Sequence, residues 1–375
     1  MTHIYTLLAH AGGDIDQSSG ALIPPIELAT TYERHPDGSY PLGFKYARDG
    51  NPTRRRLECA LSKLEGGSDC RAFSSGMAAG NAIFQAFSPG DHVLIPDDVY
   101  HGIRHLVFDH FGLRGPVATA VNMSDTKVVE SAFRDNTRMI WIESPSNPIL
   151  KITDIKMISE IARARGAMVV VDATWTTPLL QPSFDLGADL VMYSLTKYMA
   201  GHSDVLGGAV LTREGSDVFD RICTYQQQAG AVLDPFSSWL TIRGLRTLGV
   251  RLSHQCASAQ EIASFLENHN RVRIVHYPGL KAHPEHAVAK SQMSGFGAMI
   301  SFEIEGGERE AMQVAARVRV FTRATSLGAT ESLIEHRASM EGPQTQTPAN
   351  LLRLSIGLEH SVDLIEDLDH ALDGH

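Results

Sequence analysis

The segment DLVMYSLTKYMAGHSDVLGG, residues 189–208, begins with a short apolar run and ends in a glycine-rich loop. The run has the length and composition of a strand that is buried on both faces. A single lysine, Lys197, follows it among the hydroxyl side chains of Ser194 and Thr196. Two interpretations are open at this point. Lys197 either extends its ammonium group to water from the end of a strand, or it binds a carbonyl cofactor covalently while the hydroxyls bind the cofactor's phosphate.

Similar apolar runs occur along the chain and alternate with helical patterns. The runs predict strands at residues 92–97, 138–144, 167–173, 189–195 and 207–212. The segments 76–87 and 152–166 have the apolar spacing of helices, and the second is expected to have Thr153 as its N-cap and Gly166 just past its end. Such alternation is typical of an α/β fold with a doubly wound, mostly parallel sheet.

Composition and periodicity divide the chain into three parts. Residues 1–55 are rich in Gly, Pro and polar residues without clear periodicity, which predicts an arm rather than a domain. Residues 56–243 contain the alternating strands and helices. Residues 244–375 predict a smaller C-terminal α+β domain, because a long helical pattern is followed by separated strands. The helix is expected at 245–269 and the strands at 273–279, 298–306 and 351–359.

The overall composition argues against several classes of protein. The formal net charge of the 375 residues is −10, which disfavours nucleic acid or an anionic membrane as the main partner. No apolar run approaches the length that crosses a bilayer, and the N-terminus lacks the basic region of a signal peptide. The four cysteines lack metal-binding spacing and are interpreted as reduced thiols of a cytoplasmic enzyme. No metal site is expected, because His101 and His105 have no further ligands in a convincing pattern.

Polar side chains follow the predicted strands at the ends where open α/β sheets bind ligands. Ser75, Gly76 and Met77 begin a helix, where backbone N–H groups and the helix dipole favour a phosphate, although many helices begin with Ser-Gly. Asp172 ends a strand, where a carboxylate could pair with a protonated pyridine nitrogen. An N-cap or a surface charge is the alternative interpretation of Asp172.

Two more residues near strand ends fit the same kind of site. The ring of Tyr100 could stack on a flat cofactor or could be a buried structural side chain. Asn147 could hydrogen-bond a phenolic oxygen or could be a turn residue before proline. Each signal is weak alone. Together with Lys197 and Asp172 they supply the phosphate site, stacking ring, ring-nitrogen partner, phenolate partner and lysine that pyridoxal 5'-phosphate (PLP) requires.

The chain resembles the Cys/Met-metabolism family of PLP-dependent enzymes over nearly its whole length. The motifs that carry the resemblance occur in family order and are YARDGNPTRRRLE, SSGMAA, PDDVY, ESPSNP, VDATW, SLTKYMAGHSDVLGG, SLGATESLIEH and LLRLSIGLE. The family contains cystathionine γ-synthases, cystathionine β- and γ-lyases, methionine γ-lyase and O-acylhomoserine sulfhydrylases. The resemblance implies the fold type I PLP-dependent transferase architecture and a carbon–sulfur lyase or γ-synthase.

The resemblance also implies roles for individual residues. Lys197 would form the Schiff base with the cofactor and later carry the substrate Cα proton, with Tyr100 as a proton relay. Arg353 would bind the substrate α-carboxylate through its guanidinium fork, helped by Ser326 and Asn147. The contacts to the cofactor within the chain would come from Ser75, Gly76, Met77, Tyr100, Asn147, Asp172, Thr174, Ser194, Thr196 and Lys197.

The arm motif YARDGNPT implies an active site that two chains share. In the family, the tyrosine and arginine of this motif reach the phosphate site of the neighbouring subunit, and here they would be Tyr46 and Arg48. The resemblance therefore implies a dimer with shared active sites and, by the family habit, a homotetramer made of two such dimers.

Several residues on the substrate side depart from the family pattern. Lys45 stands where several members carry an acidic residue, and Arg337 stands where a proline is usual. Together they favour a cationic distal pocket and an anionic distal substrate group, such as a homoserine ester or a carboxylate-bearing thioether. The alternative is that both side chains are solvated or ion-paired. Ala329 replaces the second glycine of the usual SLGG, and His105 stands about where an arginine is common.

Three functional hypotheses follow from these observations. The first is a transsulfuration enzyme of cysteine and methionine metabolism, either a cystathionine lyase or a γ-synthase, which the motifs do not separate. The second is an O-acylhomoserine sulfhydrylase or a methionine γ-lyase. His101 disfavours the latter, because methionine γ-lyases tend to place a cysteine close after the stacking tyrosine. The third is a non-catalytic binding relative, against which the intact Lys197, Asp172 and Arg353 argue.

Overall fold

The computed structural model describes residues 2–13, 15–341 and 345–374. The α-helices that these residues form are α1 (Ile4–Ala9), α2 (Pro52–Glu65), α3 (Gly76–Gln85), α4 (His101–His105), α5 (Thr126–Ser131), α6 (Ile155–Ala164), α7 (Thr177–Leu180), α8 (Asp217–Ala229), α9 (Pro235–Glu267), α10 (His286–Gln292), α11 (Glu308–Arg317), α12 (Ala338–Glu341) and α13 (Ser361–Asp373). A π-helix (Leu106–Phe111) and a 3₁₀ helix (Gly112–Arg114) follow α4. The strands are β1 (Asp69–Phe73), β2 (His92–Pro96), β3 (Val117–Val121), β4 (Thr137–Glu143), β5 (Met168–Asp172), β6 (Leu190–Ser194), β7 (Gly208–Thr212), β8 (Val272–His276), β9 (Met299–Ile304), β10 (Thr322–Arg323), β11 (Leu333–His336) and β12 (Leu351–Ser355).

Seven strands form the first sheet, in the order β1-β7-β6-β5-β4-β2-β3. Neighbouring strands are parallel except around β7, which runs antiparallel to β1 and β6. The predicted mostly parallel sheet is therefore confirmed. The five predicted strands are present within one residue of their expected ends, whereas β1 and β3 had not been singled out.

The first sheet has a hydrophobic core on each face. Along β5, Val169 and Val171 belong to one core and Val170 to the other. Helices α2, α6 and α9 supply apolar side chains to the first core, and α3 and α8 supply them to the second. Alternate side chains of each strand thus enter opposite cores, which explains why the strands are continuous apolar runs. The fold is doubly wound, as predicted.

Five strands form the second sheet, in the order β10-β11-β12-β9-β8. Only β10 and β11 pair in parallel among its described strands. The three predicted strands correspond to β8, β9 and β12, whereas β10 and β11 had not been predicted individually. This sheet is packed against α9 and α11, and α13 packs against these two helices. The apolar side chains of the sheet join the first core.

Two predicted helix starts are wrong. Helix α6 begins at Ile155, and its N-cap is Asp154 rather than Thr153, because the Asp154 carboxylate accepts a hydrogen bond from the N–H of Met157 (2.9 Å). Gly166 lies just past its end with φ of 68°, as expected. Helix α9 begins at Pro235, ten residues before the predicted start, with Asp234 as N-cap.

Helix α9 bears directly on the expected division of the chain. Its 33 residues contain the boundary expected between residues 243 and 244. Ile242 and Leu245, on either side of that boundary, belong to the same hydrophobic core. The division into 56–243 and 244–375 therefore stays a prediction, and no break in the helix marks it.

The N-terminal part contains little regular structure among its described residues, 2–13 and 15–51. Helix α1 packs against α9, where the hydroxyls of Tyr5 and Ser253 are 2.7 Å apart. The remainder consists mainly of turns, with one isolated bridge between Thr31 and Tyr46. Within the described ranges, no helix has both the length and the apolar character needed to cross a bilayer.

Candidate active site

A cavity of about 190 Å³ lies at the carboxyl ends of β4, β5 and β6. Every residue that the resemblance assigns to the cofactor within the chain lines this cavity, from Ser75 to Lys197. Ser326, Arg337 and Arg353 line it from the C-terminal part of the chain. Both sheets therefore contribute residues to one site. The site lies at the carboxyl ends of the strands of the first sheet, where open α/β sheets bind ligands.

One end of the cavity is built for an anion. Ser75 is the N-cap of α3, and its hydroxyl accepts a hydrogen bond from the N–H of Ala78 (3.0 Å). The N–H groups of Gly76 and Met77, in the first helical turn, have no intrahelical acceptor. A Cβ atom on Gly76 would lie 3.0 Å from the Cβ of Ser194, so a larger residue would crowd the strand end. Free N–H groups and the positive end of the helix dipole favour a phosphate here.

Two carboxylates lie side by side in the middle of the cavity. Asp172 ends β5 and Glu143 ends β4, and the parallel register places them opposite each other. Burial raises the pKa of Asp172 to about 6, although Thr174 stabilises the carboxylate by donating its N–H (3.0 Å). Burial, followed by the neighbouring Asp172 charge, raises the pKa of Glu143 well above its usual range. A cation placed beside Asp172 would relieve this electrostatic cost.

Tyr100 lies beside this carboxylate pair. It precedes α4, and its N–H donates to the Glu143 carboxylate at 2.8 Å. The Glu143 carboxylate therefore holds the backbone of Tyr100 in place, and the ring of Tyr100 lines the cavity. Burial raises the pKa of the Tyr100 phenol, so the hydroxyl is protonated near neutral pH and can donate a hydrogen bond.

Lys197 follows β6 and faces the C-terminal part of the chain. Its Nζ donates to the hydroxyl of Ser326 at 2.7 Å. Ser326 has a φ of 97°, which is uncommon for a residue with a side chain and is maintained by the surrounding structure. Burial, and next the positive charge of Arg353, lower the pKa of Lys197 to about 8. A substantial fraction of the amine is therefore neutral at mildly alkaline pH.

Arg353 lies on β12 and is held in place before any substrate binds. Its guanidinium donates to the Glu335 carboxylate at 2.5 Å and to the Oδ1 atom of Asn147 at 2.8 Å. Glu335 is directly opposite Arg353 in the pairing of β11 with β12. Burial lowers the pKa of Arg353 to about 10, which leaves the guanidinium charged at neutral pH. The fork is thus oriented for a carboxylate inside the cavity.

Arg337 lines the same cavity, but it is ion-paired. Its Nε is 2.8 Å from the Glu341 carboxylate, and its NH1 is 3.5 Å from that of Glu335. Its NH2 donates to Nδ1 of His101 at 2.7 Å. Arg337 is therefore ion-paired, which was the alternative interpretation of this residue in the sequence. Its predicted role in substrate binding stays a prediction.

Lys45, Tyr46 and Arg48 are exposed and are not among the described residues that line this cavity. Arg48 donates to the carbonyl of Gln227 at 3.0 Å and lies over the Tyr46 ring. Their predicted roles in a shared active site stay predictions, because those roles require a second chain.

The residues of the cavity fit PLP. Asp172 is a carboxylate with a raised pKa and no cationic partner within the described part of the chain, as a pyridinium nitrogen requires. The first turn of α3 supplies donors for a phosphate, with the hydroxyls of Ser194 and Thr196 lining the same space. Asn147 uses its Oδ1 atom on Arg353, which leaves its amide NH₂ to donate to a phenolic oxygen.

Comparison with known proteins agrees with this chemistry. Residues 5–373 match the family described as Cys/Met metabolism PLP-dependent enzymes. The chain belongs to this family. A cystathionine γ-synthase from Mycobacterium tuberculosis (strain H37Rv) is 44% identical over 373 residues, which cover 98% of this chain and 96% of the relative. A cystathionine γ-lyase from Bacillus subtilis is 42% identical over 376 residues, with 98% of each chain covered. A solved cystathionine γ-synthase from Xanthomonas oryzae pv. oryzae in complex with cystathionine has a TM-score of 0.94 and 40% identity, and the match covers 100% of this chain and 98% of that one.

This Cys/Met-metabolism enzyme is therefore PLP-dependent and has the fold type I architecture that its motifs imply.

Three residues of its site were missed by the sequence analysis. Glu143 lies within the quoted motif ESPSNP, and Glu335 within SLGATESLIEH, but neither had been given a role. His101 had been considered only as a metal ligand or as a difference from methionine γ-lyases. A signal existed for Glu143, because it ends the predicted strand 138–144, and the other site residues also lie near the ends of predicted strands.

The rate at which the cofactor-free enzyme captures PLP is expected to rise with pH through about 8. The neutral amine of Lys197 is the nucleophile, and its pKa is about 8, so the neutral fraction grows up to and beyond that pH. Rapid mixing with PLP, followed by the absorbance of the imine between pH 6.5 and 10, measures this profile. Arg353→Gln should move the midpoint to higher pH, because the guanidinium lowers the pKa of Lys197.

The ionisation of PLP itself is controlled by measuring its reaction with an Nα-blocked lysine in the same buffers. A protein profile that follows the blocked lysine, with a midpoint above pH 10, would contradict the lowered pKa of Lys197.

Proposed function

We propose that this chain is a transsulfuration enzyme that cleaves or forms the C–S bond of cystathionine or of a related small sulfur-containing or homoserine-ester amino acid. The observation that carries the proposal is that Lys197 lines one cavity together with the carboxylate pair of the first sheet and the Arg353 guanidinium of the second. One cavity thereby combines an amine base, a partner for a ring nitrogen and a carboxylate-binding site. The names of the relatives, a γ-synthase and a γ-lyase at nearly equal identity, support the reaction class.

Lys197 would transfer the protons of the reaction. When bound, PLP supplies an electron sink for negative charge at the substrate Cα. The Lys197 amine would take the Cα proton, and for a leaving group on Cγ it would also serve at Cβ. Its lowered pKa suits this task, because a general base works best when its pKa lies near the operating pH. Tyr100, with a protonated phenol, would assist as a proton relay.

The other residues of the cavity would hold the two ligands. Asp172 would hold the ring nitrogen, with Glu143 beside it and Tyr100 against the ring. The phosphate would be held at the first turn of α3 by Ser75, Gly76 and Met77, and by Ser194 and Thr196 after β6, with Thr174 between Asp172 and Ser194. Arg353 would bind the substrate α-carboxylate. Ser326, now the acceptor of the Lys197 ammonium, would become a contact for the substrate when Lys197 changes partner.

We also propose that two chains share each active site and that two such dimers form a homotetramer. The N-terminal arm exposes several large apolar side chains, among them Leu42 (84%) and Leu22 (75%), which a second chain would bury. Leu206 lines the cavity and is still 66% exposed, so the wall of the site is incomplete at this point. Tyr46 and Arg48, on the same arm, would complete the phosphate site of the neighbour.

We further propose that the enzyme works in the cytoplasm. All four cysteines, Cys59, Cys70, Cys223 and Cys256, are free thiols. Free thiols are typical of proteins from reducing compartments.

Product analysis tests the proposed reaction. The PLP-loaded enzyme is incubated with cystathionine, homocysteine, methionine or O-succinylhomoserine plus cysteine, and pyruvate, 2-oxobutyrate and new thioether are measured. We expect turnover of cystathionine to pyruvate or 2-oxobutyrate, or formation of cystathionine from the ester. A Lys197→Ala preparation, carried through in parallel, controls for reactions of PLP in solution.

Each product identifies one reaction. Pyruvate from cystathionine indicates β-elimination, 2-oxobutyrate indicates γ-elimination, and thioether from the ester indicates γ-replacement. Turnover of methionine alone, or no turnover with any of these substrates, would contradict the proposal.

A further inference from the structure

The active-site cavity adjoins a second cavity of about 400 Å³. His101 and Asn147 line both cavities, so they lie at the passage between them. The walls of the second cavity carry many charged and polar side chains, among them Asp97, Arg104, His105, Lys151, Glu341 and Thr347. An amino acid bound to Arg353 that extends beyond Cγ therefore has a polar space into which it can reach past His101.

The contact between Arg337 and His101 determines where the His101 proton lies. The NH2 group of Arg337 is 2.7 Å from Nδ1 of His101. A guanidinium only donates hydrogen bonds, so Nδ1 must accept and carries no proton. The ring proton is then on Nε2, and no acceptor for it occurs in the described ranges of the chain. His101 is therefore a neutral imidazole that presents one N–H donor at the passage.

The C-terminal part of the chain holds Arg337 in this position. Arg337 is 2% exposed and pairs with Glu341 and Glu335. Glu341 in turn accepts hydrogen bonds from the hydroxyls of Thr345 (2.6 Å) and Thr347 (2.7 Å). The charge of Arg337 is thereby balanced by carboxylates. Burial and the charge of Arg337 both lower the pKa of His101, which favours the same neutral ring.

We propose that Arg337 fixes His101 as an Nε2–H donor and that His101 selects substrates with an oxygen acceptor beyond Cγ, such as a distal carboxylate or an ester carbonyl. Arg337 is the positioning residue, and His101 is the residue that contacts the substrate. This inference rests on the proposed function and adds to it the class of distal group. The distal substrate group was expected to be recognised by the positive charges of Lys45 and Arg337. In this proposal a single neutral N–H donor, on His101, recognises it.

A matched pair of substitutions separates the two nitrogens of the ring. His101→Asn places an oxygen near Nδ1 for Arg337 and removes the donor at Nε2. His101→Gln extends an amide toward the position of Nε2 and so can supply the donor. His110→Asn, at an exposed histidine in the π-helical segment Leu106–Phe111 that follows α4, is the control.

The experiment measures the binding of two unreactive amino acids to the PLP-loaded enzyme. L-2-aminoadipate carries a distal carboxylate and L-norleucine does not, and the absorbance change of bound PLP gives both dissociation constants. We expect the wild type to prefer aminoadipate, and His101→Asn to reduce that preference about tenfold, the value of one hydrogen bond. His101→Gln should retain most of the preference, Arg337→Gln should lose it, and His110→Asn should match the wild type.

The same data separate this inference from the proposed function. A wild type without preference, an unchanged preference in His101→Asn, or equal weakening of both ligands would overturn the role of His101. If the preference depends on His101 while product analysis shows no C–S chemistry, the donor role stands and the proposed reaction fails.

Discussion

Replacement of Lys197 by alanine is expected to lower the turnover number by roughly three orders of magnitude. The substitution removes the amine that would hold the cofactor and carry the Cα proton, and a positioned general base contributes about 10²–10⁴-fold to the rate of proton transfer. Steady-state rates with the substrate identified by product analysis measure the effect. The purified variant should also lack the imine absorbance after excess PLP is added and removed by dialysis.

Lys156→Ala is the matched control for this substitution, because Lys156 is exposed on α6 and does not line the cavity. Normal turnover in the Lys197→Ala variant, together with a persistent imine band, would show that another amine serves the site. Lys197 would then not be the lysine that binds the cofactor, and the reaction centre would lie elsewhere.

Replacement of Arg353 by methionine is expected to reduce kcat/KM by two to three orders of magnitude. The substitution removes the fork that would bind the substrate α-carboxylate, and loss of one partner of a buried, hydrogen-bonded charge pair costs about 2–5 kcal/mol. Arg353→Lys retains the charge without the fork, so its activity should lie between those of the methionine variant and the wild type. Steady-state kinetics of the three proteins measure the order.

Folding must be separated from catalysis in this series, because Arg353→Met leaves Glu335 buried without its closest cation. The double variant Arg353→Met, Glu335→Gln removes the uncompensated charge. We expect it to regain thermal stability without regaining kcat/KM. Recovery of activity along with stability would mean that Arg353 only supports the fold and does not bind the substrate.

The two carboxylates at the ends of β4 and β5 are buried next to each other, which is electrostatically unfavourable. Glu143 and Asp172 lie opposite each other with raised pKa values, and Arg353 and Arg337 compensate mainly Glu335 and Glu341 on the other wall. A cationic ring nitrogen beside Asp172 would satisfy the first pair. The cavity therefore holds one carboxylate pair that the bound cofactor complements, whereas Arg353 is already paired with Glu335 on the other side.

Local patterns in the sequence were sufficient to predict the types of most elements and most residues that line the cavity. The strands at 92–97 and 167–173 were predictable because continuous apolar runs of that length can be buried on both faces only within a sheet. The residues from Ser75 to Lys197 that line the cavity were identifiable because they lie in the motifs that carry the family resemblance, most of which follow a predicted strand. The earlier start of α9 had a local signal as well, since Asp234-Pro235 combines an N-cap with a favoured first residue.

The contacts between these residues could be read only from the folded chain. Lys197 meets Ser326, and Asn147 meets Arg353, across 129 and 206 residues of chain. Glu143 faces Asp172 only because β4 and β5 are parallel neighbours in that register. The Arg337 side chain became a partner of Glu341 and His101 rather than a free cation. Such contacts depend on how sheets and loops pack. The local periodicity of the sequence gives no information about distances between segments so far apart in the chain.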